Sequence, residues 1–262
     1  MKKAYLVTGA SEGIGLEIAR LAVLQGASVL MVSLDAAKLA AAAAAIGGDR
    51  PPETEVVDLT DSEALDAFLA RLDVRGYVPD VLVNNAGHGL SGAFAETDWP
   101  RLDAMLRLNV LALARLTHWA AQRMAARRSG AIVNLSAAVA TRPVPFFAAY
   151  AASKAFVNNV SQALHYELKA VGVSVSAVHP PAVRTGFASA DKANLGSTLV
   201  LKLFPTVGPK TVARAVLRAA ERRRRSVIIG PVAGIVMGTA AVMPRGLDLA
   251  FMSLLFRSPR AS

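Results

Sequence analysis

Tyr150 and Lys154 stand four residues apart in Tyr150-Ala151-Ala152-Ser153-Lys154. On a helix that spacing puts both side chains on one face, one turn apart. A phenol with an ordinary pKa of about 10 carries protons poorly at neutral pH. An ammonium group beside it stabilises the phenolate and makes the phenol more acidic. The pair is a candidate proton donor and acceptor at a carbon–oxygen bond. Tyr and Lys also occur together on helix surfaces with no function, so the pair gains meaning only beside a second site. Thr8-Gly9-Ala10-Ser11-Glu12-Gly13-Ile14-Gly15 supplies one. Its glycines allow a sharp turn and a close backbone approach to a pyrophosphate. The helix that follows would present free N–H groups and a positive dipole end.

The elements that must position these residues alternate along the chain. Short apolar runs at 4–8, 28–33, 55–58, 79–84, 130–135, 173–179 and 226–229 read as strands. Segments 13–25, 36–46, 61–72, 100–127, 147–170 and 210–224 read as helices from their apolar spacing. Strands that are apolar throughout and separated by helices indicate a parallel sheet covered on both faces. The expected fold class is α/β, a single doubly wound Rossmann-type domain over 1–262 with seven parallel strands. Residues 186–207 interrupt the alternation. Residues 231–262 read as a C-terminal helical tail.

The ordered motifs resemble the short-chain dehydrogenase/reductase family over about residues 4 to 230. The glycine turn, Asn84-Asn85-Ala86-Gly87 after the fourth strand, Asn109 in the following helix and the Tyr150–Lys154 pair occur in the family's order. Pro180-Pro181-Ala182-Val183-Arg184-Thr185 is similar to the family's loop after the sixth strand. The resemblance implies an oxidoreductase that moves a hydride between a nicotinamide cofactor and a ketone or secondary alcohol. It implies Tyr150, Lys154 and Asn109 as catalytic residues. It implies cofactor contacts from Gly9, Ser11, Glu12, Gly13, Ile14 and Gly15 on the turn, and from Ser33 at the end of the second strand. Asp58 and Leu59 would meet the adenine, and Asn85, Ala86 and Gly87 the adenosine ribose and nearby backbone. Lys154 and Tyr150 would face the nicotinamide end, with Pro180, Val183 and Thr185 beside the carboxamide. The resemblance also implies a substrate lid over 186–207.

Two positions depart from the family pattern. Pro181 replaces the usual glycine of the loop and fixes its own φ. The family's serine, thirteen places before the tyrosine, is Ala137 here. Ser136 is the expected substitute, although one step along a strand turns a side chain to the other face. A catalytically weak, cofactor-binding regulator is the alternative that Ala137 leaves open.

Val32-Ser33-Leu34-Asp35 carries neither the early acid that binds NAD nor the arginine that binds the NADP phosphate. Glu12, and Asp35 if it points inward, would repel a phosphate, while Lys38 is the nearby cation. The expected cofactor is NAD(H) or NADP(H), with the balance toward NAD(H). Apolar residues in and near the lid, among them Phe187, Leu195, Leu199, Phe204, Val139, Phe146 and Phe147, point to a lipophilic substrate, acyl, steroid or sphingoid-like. They also fit simple packing of a lid or a subunit contact.

The chain has 262 residues, no cysteine and a formal net charge of +10. Without cysteine there is no disulfide and no thiolate metal site, and no metal is expected. The basic run Arg222–Arg225 ends a helix and has no interleaved aromatic residue, so a nucleic-acid partner is not expected. A homodimer or homotetramer through 100–127 and 147–170 is expected from the family. Residues 226–244 carry no charge between Ser226 and Met243, but Gly230-Pro231 breaks the run short of the ~20 apolar residues a membrane span needs. The tail is expected to lie on the protein, on a partner subunit or on a membrane surface. The first nine residues run straight into a strand, which gives a cytoplasmic expectation with possible membrane association.

Overall fold

A computed structural model describes residues 3–48, 51–183 and 206–256. Seven strands form one sheet: β1 (Ala4–Thr8), β2 (Ser28–Ser33), β3 (Glu53–Val56), β4 (Val81–Asn84), β5 (Gly130–Leu135), β6 (Val173–His179) and β7 (Ser226–Ile228). Their order is β3-β2-β1-β4-β5-β6-β7, and every pairing is parallel. Among the described residues nine α-helices accompany them: α1 (Gly13–Leu24), α2 (Ala36–Ile46), α3 (Ser62–Val74), α4 (Trp99–Leu106), α5 (Leu113–Ala126), α6 (Ala148–Lys169), α7 (Pro209–Glu221), α8 (Gly230–Val242) and α9 (Arg245–Phe256).

Strand alternation sorts the core into two layers. Tyr5 and Val7 of β1 pack with Ile18, Leu39 and Val212 from α1, α2 and α7. Leu6, between them, points the other way and packs with Phe68, Leu116 and Trp119 from α3 and α5. Central strands are thus buried on both sides, as their unbroken apolar sequences require.

Two expectations change. The third strand lies at Glu53–Val56, two residues earlier than its apolar pattern suggested. It pairs residue by residue with Leu30 to Ser33, so it ends where β2 ends. Asp58 then leaves the sheet for a turn in which it accepts from the Thr60 amide at 2.8 Å and the Thr60 hydroxyl at 2.7 Å. The single helix expected over 100–127 is two helices, α4 and α5, joined by one π turn over Arg107–Ala112. A π turn inserts a residue into the helical ladder and often marks a functional position.

The lid at 186–207 lies almost wholly outside the described residues, and so do Thr185, Phe187, Leu195, Leu199 and Phe204. The tail folds as α8 and α9. Among the described residues no helix is long and apolar enough to cross a membrane.

Candidate active site

The strand order reverses between β1 and β4, which opens a crevice beyond their carboxyl ends. The glycine turn leaves β1 and Asn84–Gly87 leaves β4, so both loops line that crevice. Side chains stitch them together. The Asn85 amide donates to the carbonyls of Thr8 at 2.9 Å and Gly9 at 3.0 Å. The Thr8 hydroxyl accepts from the backbone N–H of Asn85 at 3.1 Å and of Ala86 at 3.0 Å. Asn85 is therefore a brace for the turn, with its amide nitrogen already used.

Gly9 and Gly13 have φ of 63° and 58°, which glycine adopts without strain. A Cβ on Gly15 would stand 2.1 Å from the Gly9 carbonyl oxygen and 2.6 Å from the Asn85 amide. The turn is folded too tightly for any side chain there. Glu12, the residue before α1, makes no side-chain capping bond. A glycine cradle with an uncapped helix end fits a dinucleotide's pyrophosphate. Nearby, the Ser11 and Ser33 hydroxyls share a hydrogen bond of 2.9 Å. Leu59 is buried in the core, which leaves its backbone alone to face a ligand. Ile14 packs partly against the other core layer.

Tyr150 and Lys154 occupy the first turns of α6. The Lys154 ammonium lies 5.8 Å from the centroid of the Tyr150 ring, within cation–π range, and donates to the Leu135 carbonyl at 3.0 Å. Burial strips water from both groups. It pushes the Lys154 pKa down to about 8 and raises that of the Tyr150 phenol above its ordinary value.

Asn109, fully buried on the π turn, faces the same place. Its Oδ1 accepts from the His88 amide at 3.1 Å, and its Nδ2 donates to the His88 carbonyl at 3.0 Å and to the Ser153 hydroxyl at 3.2 Å. Ser153 in turn donates to the Tyr150 carbonyl at 2.7 Å. Gly87 makes the approach possible: a Cβ there would meet Asn109 Oδ1 at 2.8 Å and Lys154 Nζ at 3.4 Å. Tyr150, Lys154, Asn109 and Gly87 thus converge beside the crevice.

Ser136, expected in place of the family's serine, lies between β5 and α6. Its hydroxyl is buried and donates to the Lys154 carbonyl at 3.0 Å. In this structure it ties the end of β5 to the backbone of α6. Ala137 follows it with no hydroxyl, and its carbonyl lies 3.3 Å from Nδ1 of the buried His179. Burial lowers the His179 pKa and favours the neutral ring. Pro180 accepts from the Ala138 amide at 3.1 Å, and Val183 bridges to Val207. Ser153 and the Leu135 carbonyl were missed from sequence. Ser153 could have been noticed within the tyrosine–lysine motif, whereas a backbone acceptor leaves no trace in residue identity.

The family model for short chain dehydrogenases matches residues 3–196. This chain belongs to the short-chain dehydrogenase family. Probable oxidoreductase EphD of Mycobacterium tuberculosis (strain ATCC 25618 / H37Rv) is 32% identical over 92% of this chain and 43% of its own length. This short-chain dehydrogenase therefore spans less than half of that relative. Ketoacyl reductase HetN of Nostoc sp. (strain PCC 7120 / SAG 25.82 / UTEX 2576) is 32% identical over 87% of this chain and 78% of its own. A short-chain dehydrogenase from Sphingobium yanoikuyae, solved in complex with NADPH, superposes with a TM-score of 0.79 at 30% identity. It covers 93% of this chain and 97% of its own.

Proposed function

We propose that this short-chain dehydrogenase interconverts a lipophilic ketone and its secondary alcohol, with Tyr150 as the proton carrier. The convergence of Tyr150, Lys154 and Asn109 beside the glycine cradle carries this reading. A bound nicotinamide supplies or accepts the hydride. In the reducing direction the Tyr150 phenol gives its proton to the substrate oxygen. The Lys154 ammonium stabilises the phenolate left behind. Asn109 holds the backbone of His88, and Ser153 that of Tyr150. The glycine turn and the start of α1 would hold the pyrophosphate, and Lys154 the ribose next to the nicotinamide.

The substrate class rests on the surroundings of the phenol. Val139, Val144, Phe147, Met252 and Phe256 form an apolar cluster against Tyr150, which favours acyl, steroid or sphingoid-like chains. The relative with ketoacyl reductase in its name is consistent with this. Ala137 and the Ser136–Lys154 bond support a second reading, a catalytically weak, cofactor-binding regulator. Incubation with NADH and a panel of lipophilic ketones separates the two. Turnover that Tyr150→Phe abolishes supports the enzyme; cofactor binding with no turnover on any ketone sinks it.

For the cofactor, NAD(H) is the proposed partner. The Lys38 ammonium already sits between two carboxylates, 3.5 Å from Glu12 and 4.0 Å from Asp35. Those acids disfavour a 2′-phosphate. A lower KM for NADH than for NADPH is expected, and the reverse order would overturn this choice.

Exposed Leu111 and Phe156 on the π turn and α6 support a homodimer or homotetramer through these helices, to be checked by sedimentation. Ile235, Val242, Leu247 and Leu254 are exposed on α8 and α9 and support contact of the tail with a membrane surface. Such a peripheral protein would be released by a carbonate wash, and would be absent from the membrane fraction altogether if the contact does not form.

A further inference from the structure

Arg142 is the most deeply buried arginine side chain in any ion pair of the described residues, at 2% exposure, and its partner Asp248 is at 7%. It stands just after the short 3-10 turn Ala138–Thr141 that follows β5. From there one guanidinium reaches both tail helices. Nη1 donates to Asp248 Oδ1 on α9 at 2.7 Å and approaches Met252 Sδ at 3.5 Å. Nη2 donates to the Thr239 hydroxyl on α8 at 2.8 Å and to the Val236 carbonyl.

A buried ion pair is a poor source of stability, because desolvation offsets most of the attraction. A planar five-donor fork does supply fixed geometry, since its hydrogen bonds come at set angles. What it fixes here ends at the reaction centre. With α9 latched, Met252 and Phe256 pack on Val144, Phe147 and Ala151. The Phe256 ring meets Phe147 edge-on at 5.2 Å, and Phe147 meets Tyr150 edge-on at 6.3 Å. A chain of aromatic contacts thus runs from the tail to the phenol.

We infer that Arg142 is a positioning residue: paired with Asp248, it latches the C-terminal helix pair against the Tyr150 end of α6. The tail so held is a wall of the substrate pocket and sets how large a ketone reaches the phenol. This rests on the ketone reading above. Neither Arg142 nor Asp248 touches substrate.

The test compares the full-length wild type with Asp248→Asn, Arg142→Lys and Phe256→Ala. Each is assayed with NADH on a small aliphatic ketone and on a bulky aryl ketone. Loosening the wall should raise the ratio of kcat/KM for the bulky over the small ketone about tenfold, the scale of a changed apolar pocket, chiefly through KM. The NADH dissociation constant should stay put. Arg142→Lys, which keeps the charge but not the fork, should fall between wild type and Asp248→Asn. A uniform loss on both ketones, or an unchanged ratio in the variants that fold, overturns the inference. If Asp248→Asn does not fold, Phe256→Ala decides alone, since it leaves the ion pair intact. Amide hydrogen exchange over residues 138–151 gives a reading independent of turnover. Faster exchange there in Asp248→Asn supports the latch, and wild-type protection rules it out. A wild type that binds NADH but turns over no ketone would strike the ketone reading, and the exchange result would then decide the latch.

Discussion

Lys154 is held by its own ammonium on the Leu135 carbonyl and by its carbonyl under the Ser136 hydroxyl. Burial lowers its pKa to about 8, so in the free protein it is charged below that pH and neutral above it. Only the charged form helps the phenol release a proton. Ketone reduction, read as kcat/KM, should therefore fall as pH rises through about 8, and a profile from pH 6 to 10 checks this. Lys154→Met should lower turnover by about two orders of magnitude or more and remove that limb. At Gly15 the argument is steric. Gly15→Ala drives a methyl group into the Gly9 carbonyl, so NADH binding, measured by fluorescence titration, should be lost. Both residues were legible in the sequence because their chemistry is local: a turn of helix for the pair, a glycine for the cradle. The bond of Ser136 to the Lys154 carbonyl was not legible, because strand position alone does not reveal which hydrogen-bond partner a hydroxyl finds.

Elements decide how such residues face one another. The π turn at Arg107–Ala112 carries the buried Asn109 and its bonds to His88 and Ser153. Apolar periodicity reads the same stretch as an ordinary helix, since one inserted residue barely disturbs the pattern. β5 and α6 are tied at their facing ends by the paired Ser136 and Lys154 bonds. Ser136→Ala should cost about 1 kcal/mol of stability, the usual net worth of such a bond, seen as a lowered denaturation midpoint. It should also reduce turnover modestly, since the side chain of Lys154 keeps its own bond to Leu135. A loss as large as that of Tyr150→Phe would instead return Ser136 to a direct catalytic role. Buried polar residues brace the elements further back. Asn84 donates to Thr117 at 2.9 Å and to Asn134 at 2.8 Å, and Asn134 donates to Ser161 at 2.9 Å. That chain joins α5, β4, β5 and α6 directly behind the site.

At the scale of the whole molecule, the crevice exists because the strand order reverses between β1 and β4. A ligand seated there contacts loops from both halves of the sheet, so binding should stabilise the entire fold. Saturation at a hundred times Kd adds about 2.7 kcal/mol, and a thermal shift with NADH larger than with NADPH is the expected outcome. The tail is a second global feature. Removing only one partner of the Arg142–Asp248 pair leaves a buried charge uncompensated, which costs about 3–5 kcal/mol. Arg142→Met should therefore unfold at lower denaturant than Arg142→Met combined with Asp248→Leu.

Residue order by itself determined the strand–helix alternation, the glycine cradle and the phenol–ammonium pair. Each depends on neighbours within about a turn or on a repeating period, and these are written along the chain. It also carried the family, through motifs whose spacing is linear. The tertiary structure alone decided where polar atoms from distant segments meet. Arg142 and Asp248 lie 106 positions apart, and Asn109 finds Ser153 across 44. Such contacts follow from which faces of the helices are pressed together, and many pairings of the same residues satisfy the same hydrophobic pattern. Packing in three dimensions selects among them, because burying the apolar faces together decides which polar groups of distant segments come within hydrogen-bond reach.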